Sequence, residues 1–272
     1  MANVTLSFRK PGASRVDLSG VVPDRLAGLS EREIAALPVW VGSSRVQLGE
    51  MCTVKGEKSA DLRIEGESSN VDGIGGGMRG GRLTVLGDAG FDVGLGMGGG
   101  RLEVNGSVRD GCGVALSGGS IRVAGSAGDG VGGALPGASR GMTGGEVLVT
   151  GSVGRGAGAS ARRGLVVAGG NAGDGAGHAM IAGTVLIFGT VSGVVGRWNK
   201  RGTIVAFGGA TVPAAYRFAC SYRPVFLRVL LAYLRDSHGV IAEDKFVTGR
   251  YERYCGDLSE LGKGELLTWT GP

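Results

Sequence analysis

A short phrase, Gly-Gly-x-h-x-h-x-Gly with h aliphatic, recurs through the middle of the chain and limits what it can fold into. It reads Gly80-Gly81-Arg82-Leu83-Thr84-Val85-Leu86-Gly87, and returns over Gly99 to Gly106, Gly118 to Gly125 and Gly144 to Gly151. Later copies drift at their start, over Arg162 to Gly169, Ala182 to Gly189 and Arg201 to Gly208, and a weak first copy closes at Gly66. The closing glycines at 66, 87, 106, 125, 151, 169, 189 and 208 are spaced by 21, 19, 19, 26, 18, 20 and 19 residues. The long interval holds an insertion around Leu135 to Arg140. A period near 20 with one short strand per unit marks a stacked repeat rather than a globular α/β domain.

Within each phrase the aliphatic residues alternate, so they share one face of a strand. Stacking the copies predicts an inner ladder of Leu83, Leu102, Ile121, Val147, Leu165, Val185 and Ile204. A second predicted ladder is Val85, Val104, Val123, Val149, Val167, Ile187 and Ala206. Met78, Met97, Leu116, Met142 and Met180 recur at one place in the unit and are expected in the core. Residues 61–208 hold 44 of the 57 glycines. Glycine inside a strand costs about 0.5–1 kcal/mol relative to alanine, so most are expected at corners needing positive φ. The fold predicted is all-β: a right-handed parallel β-helix of roughly eight coils over residues 61–208. Residues 1–60 then form an N-terminal cap, and 209–272 a C-terminal helix and tail.

The flanks lack the phrase. Val4 to Arg9 reads as a strand. Ser30-Glu31-Arg32-Glu33 is a capping box opening a short helix that Pro38 ends. Pro224 opens an amphipathic helix over Val225 to Asp236, with Gly239 as its stop and Phe226, Leu227, Leu230, Leu231 and Leu234 on its apolar face. That face is expected to pack on the last coil, because an open solenoid end is an open sheet edge.

Composition matters where it excludes alternatives. Seven prolines and no Gly-X-Y period argue against collagen, and 42% hydrophobic residues argue against disorder. Cys52, Cys112, Cys220 and Cys255 are widely spaced, which points to free thiols rather than a disulfide or zinc framework. Met1 to Gly12 has no signal-like apolar run, and Val225 to Leu234 is too short to span a bilayer. A cytoplasmic protein is expected. The net charge of +5 is uneven: residues 1–146 carry −1, 147–235 carry +9 and 236–272 carry −3. A local basic zone predicts an anionic partner. Arg155, Arg162, Arg163, Arg197, Lys200 and Arg201 are its candidate residues, facing either an acidic partner or an anionic small molecule.

Catalytic motifs are sparse. Gly-x-Gly-x-x-Gly within Gly94 to Gly99 lacks the strand–helix setting of a nucleotide site. There is no P-loop, and His178 and His238 stand alone. Asp88, Asp129 and Asp174 recur with the repeat and read as corner caps. The basic zone has few interleaved aromatics, so nucleic acid is not expected as a partner, and the apolar helix face is expected on the last coil rather than on a membrane. No catalytic or metal-binding residue is assigned.

The Gly-x-Gly-x-Gly repeat resembles the C-terminal domain of glutamate synthase and the C subunit of formylmethanofuran dehydrogenase. Two flanking segments resemble that C subunit in particular: Tyr251 to Leu266, and Val22-Pro23-Asp24 followed by Leu29-Ser30-Glu31-Arg32-Glu33-Ile34. The resemblance spans nearly the whole chain. It implies a structural, non-catalytic component of a hetero-oligomer with the A, B and D subunits. Such a component serves the archaeal tungsten or molybdenum dehydrogenase or the bacterial formyltransferase/hydrolase complex. In the latter, hydrolysis belongs to the A subunit and formyl transfer to tetrahydromethanopterin to the D subunit, linked by a methanofuran-type carrier. Abundant Ala, Gly and Arg favour the bacterial complex. A glutamate synthase-like spacer and a free-standing enzyme are the competing classes. The spacer predicts glutaminase and flavin domains, and the enzyme predicts acids and histidines that the sequence scarcely offers.

Overall fold

The structure, a computed structural model, describes residues 3–9, 14–239 and 243–271. Of the Met1 to Gly12 stretch, residues 1–2 and 10–12 lie outside it. The chain is mostly β, with few helices, and a 13-stranded, mostly parallel sheet dominates it. Eight strands come from the repeat: Asp61–Gly66, Arg82–Val85, Arg101–Val104, Ser120–Val123, Glu146–Val149, Leu165–Ala168, Thr184–Ile187 and Thr203–Ala206. They pair in parallel in sequence order. One residue of each connecting segment pairs with its counterpart in the next unit, giving a second parallel ladder of Ala89, Val108, Ala127, Val153, Ala172 and Val191.

Inward residues of both ladders are buried in one continuous core, together with Met78, Met97, Leu116, Met142 and Met180. One unit departs from the expected register. Val147 pairs with Val166 and Val149 with Ala168, so Val166 and Ala168 face inward while Leu165 and Val167 face outward. The residue closing that unit is Gly170, whose N–H donates to Gly151 O and whose carbonyl accepts from Gly189 N. Reading Gly170 instead of Gly169 turns spacings of 18 and 20 into 19 and 19. The doublet Gly169-Gly170, with an aliphatic residue at every position of Leu165-Val166-Val167, made two registers equally readable.

The glycines divide between two roles. Of the 44 in residues 61–208, 23 adopt positive φ. Many others are excluded volume. A Cβ at Gly128 falls 2.0 Å from Asp110 Oδ1, and one at Gly154 falls 2.1 Å from Asp129 Oδ1. Those oxygens are occupied, accepting from the N–H groups of Asp129 and Arg155. A neighbouring corner carries a longer ladder. Asp88, Ser107, Ser126, Ser152 and Asn171 each accept from the backbone N–H of the equivalent residue one unit on. The recurrent aspartates therefore do cap corners, on two separate columns.

Both flanks continue the sheet. Val4–Phe8, one residue shorter than expected, pairs in parallel with Asp61–Gly66, and Gly264–Gly271 pairs in parallel with Thr203–Ala206. Antiparallel partners finish each edge: Cys52–Lys55 at one, Arg250–Gly256 and then Arg217–Tyr222 at the other. The Ser30 capping box opens the helix Glu31–Ala35 as expected. This helix and Leu48–Met51 pack against the Cys52–Lys55 edge.

The helix Val225–His238 ends at Gly239 with φ +63°. It lies along the outer face of the sheet rather than over the last unit's end. Outward positions explain why: Thr84, Glu103 and Arg122 give way to Leu148, Val167, Leu186 and Val205. Leu227, Leu231 and Leu234 bury against the latter, while Phe226, expected inside, is 41% exposed. His238 pins the helix end. Its Nε2 lies 2.9 Å from Glu146 Oε1 and 3.1 Å from the Tyr233 hydroxyl, which itself donates to Glu146 Oε2 at 2.9 Å.

Candidate functional site

The connecting segments of the last units place the basic residues at three corners. Arg162 and Arg163 precede the strand Leu165–Ala168, and Lys200 and Arg201 precede Thr203–Ala206. Backbone bonds from Arg162 to Met142 O, Ile181 to Ala161 O and Lys200 to Met180 O put them in one column, two units apart. At about 4.8 Å per strand that is roughly 10 Å. Arg197 occupies the adjoining corner. Arg155 stands apart in the aspartate column, 3.6 Å from Asp129 Oδ2. Lys200 reaches Glu260 at 3.7 Å. The structure thus gathers five of the six residues and separates Arg155.

Beside Arg197 lies what the sequence did not reveal. Gly77, Gly96, Ala115, Ser160, Ala179 and Trp198 occupy one place in the unit and share a positive φ, which the insertion-bearing unit between Ala115 and Ser160 lacks there. Small residues fill it until the last unit, where Trp198 adopts φ +60° and stays 49% exposed. A bulky residue there is strained, and surrounding structure must hold it. Asp257 does so: its Oδ2 accepts from Trp198 N at 2.8 Å, and its Oδ1 accepts from Ser259 N at 2.8 Å and Ser259 Oγ at 2.6 Å. Burial pulls the Asp257 carboxyl upward. The Ser259 hydroxyl, the two N–H groups and the charge of Arg197 outweigh that and leave it below its ordinary value. It is a fixed anionic acceptor and a poor base.

The Trp198 indole sits 5.0 Å from the His178 ring, tilted by 54°. Arg197, Trp198, Asp257, Val194, Thr211 and Pro213 line a cleft of about 480 Å³. The rest of the last unit is closed. Asn199 replaces the core methionine and bonds Gly202 N and O, and the Tyr216 hydroxyl donates to Gly196 O. The signal for this site was a tryptophan in a column of small residues, visible only once units are aligned.

Two of the four cysteines, Cys52 and Cys112, are buried. Burial pushes the Cys52 and Cys112 thiols up to about 12. All four cysteines are free. Among the described residues no three His, Cys, Asp or Glu side chains converge as a metal site, and no helix is long and apolar enough to cross a membrane. The site sets side by side a cationic corner, an exposed indole and a fixed carboxylate.

Fold and site together define a stacked glycine-repeat protein with a basic corner and an exposed tryptophan beside a cleft. No family model matches the chain. It is 36% identical over 86 residues to the C subunit of the formyltransferase/hydrolase complex Fhc of Methylorubrum extorquens, a match covering 32% of each sequence. It is 32% identical over 98 residues to the C subunit of molybdenum-containing formylmethanofuran dehydrogenase 1 of Methanosarcina barkeri, covering 34% of this chain and 33% of that one. These alignments span about a third of the curated relatives' length. A chain of the crystal structure of the M. extorquens formyltransferase/hydrolase complex (FhcABCD) with methylofuran superposes with a TM-score of 0.90. That match has 36% identity and covers 97% of this chain and 98% of the other. The chain belongs to the C-subunit family of formyltransferase/hydrolase complexes and formylmethanofuran dehydrogenases.

Proposed function

We propose that the chain is the structural, non-catalytic C subunit of a cytoplasmic formyltransferase/hydrolase complex, assembled with the A, B and D subunits. The complex acts in tetrahydromethanopterin-linked one-carbon metabolism, on the route from formaldehyde to formate. The observation that carries this reading is the superposition on a chain of FhcABCD over 97% of the length at 36% identity. Purification from the native host tests it. The A, B and D subunits identified by mass in the same particle support it. A chain that purifies alone and monomeric overturns it, and a co-purifying tungsten or molybdenum protein reassigns it to a formylmethanofuran dehydrogenase.

In this reading the repeat winds as a right-handed β-helix over residues 61–208, with 1–60 and 209–272 as terminal segments. Regular parallel ladders on two sides of each unit support that winding. The basic corner receives an anion, since clustered guanidiniums bind carboxylates well. Arg162, Arg163, Arg197, Lys200 and Arg201 face either an acidic partner protein or the anionic tail of the one-carbon carrier, with Arg155 outlying. Charge reversal at Arg162 and Arg163 separates the two. Lost carrier binding in an intact complex assigns the carrier, and a complex that falls apart assigns the partner.

A further inference from the structure

The two edges of the large sheet are finished differently. At Cys52–Lys55 two helices pack against the edge strand. At the other end the edge strand Arg217–Tyr222 pairs with Arg250–Gly256 on one side only. Its first five residues are exposed, with Phe218 at 57%. Such an edge presents a free row of backbone donors and acceptors.

The helix that follows adds an apolar shoulder. While Leu227, Leu231 and Leu234 are buried, Val225 is 69% and Val229 65% exposed, with Phe226 and Tyr233 also outside. Arginines 217, 223, 228 and 235 punctuate this strip, and no carboxylate occurs from 217 to 235. The nearby acids are engaged: Glu252 by the Tyr254 hydroxyl, Glu265 by Arg253 and Asp236 by Arg235. Among the described residues Arg217, Arg223 and Arg228 make no ion pair, although Arg217 Nη1 donates to the carbonyls of Ala214 and Tyr216.

We propose that Arg217–Tyr222 accepts an extended, acidic segment of a partner polypeptide as an added strand, with apolar side chains of that segment resting on Phe218, Val225 and Val229. Backbone pairing supplies the geometry and alternate side chains the specificity. The arginines select an acidic strand and speed encounter. They also argue against a second copy of this chain, because an edge carrying the same arginines is repelled. The inference rests on the assignment to the complex proposed above, and it concerns a surface separate from the cleft at Trp198.

Backbone amide exchange, followed by mass spectrometry, tests it on the chain alone and in the assembly with the A, B and D subunits. The expected result is at least tenfold slower exchange across residues 217–222 in the assembly. The triple variant R217E/R223E/R228E weakens assembly at least tenfold at low salt, and its affinity loses most of the wild-type salt dependence. Equal exchange of 217–222 in an intact assembly overturns the inference and leaves the assignment to the complex standing. Protection gained by concentrating the chain alone also overturns it, in favour of self-association. A chain that joins no assembly overturns both.

Discussion

A methyl group at Gly154 meets not only the Asp129 oxygen but Asp129 N and Gly128 C, each at 2.7 Å. Backbone must move to admit it. Gly154→Ala is expected to cost about 1–3 kcal/mol, as overpacking does. Gly80→Ala, with nothing within 4 Å of the new carbon and no positive φ, stays within about 0.5 kcal/mol. Thermal melts of the pair check this. Asn199 sits where other units hold methionine, so Asn199→Met restores the column yet strips partners from Gly202 N and O. A loss of about 1–3 kcal/mol is expected, measured by urea unfolding. Asp257 gives a pH test. Its carboxyl is lower in the folded state, so its contribution is full above the ordinary value of 3.8 and is lost as pH falls through the folded value. The stability difference between the native chain and Asp257→Asn should hold steady at neutral pH and shrink below about pH 4.

Elements show what the sequence made legible and what it hid. Strand positions followed from the phrase, because period-two alternation between glycine corners admits one reading. It failed at Leu165–Ala168, where every residue is aliphatic and the alternation vanishes. The same loss of alternation carried information: outward Leu148, Val167, Leu186 and Val205 are apolar because a helix covers them. Helix boundaries were legible from Pro224 and Gly239, but its seat was not, since an amphipathic face does not name its partner. The basic residues were legible as charge, whereas the Trp198 cleft depends on Asp257, 59 residues away. Leu231→Ala should cost about 2–5 kcal/mol and Val229→Ala within about 0.5, read from denaturant midpoints.

At the scale of the molecule the corrected period of 19 has a direct consequence. Deleting Gly106 to Ala124 removes one whole unit and joins Asn105 to Gly125, which preserves every inward position. Deleting Gly106 to Val123, one residue fewer, forces the neighbouring units out of frame. The first variant should remain soluble and unfold cooperatively, and the second should aggregate, as read by size-exclusion chromatography and calorimetry. Stacks of this kind derive stability from neighbouring units, so loss of one costs an increment rather than the fold. From Val4–Phe8 to Gly264–Gly271 the parallel strands make nine steps, about 43 Å at 4.8 Å each. The molecule is in effect a ruler with fixed graduations. Two bodies seated at different levels are held apart by a whole number of steps, a distance that thermal motion in a linker cannot blur and that gaining or losing a unit changes by one mark.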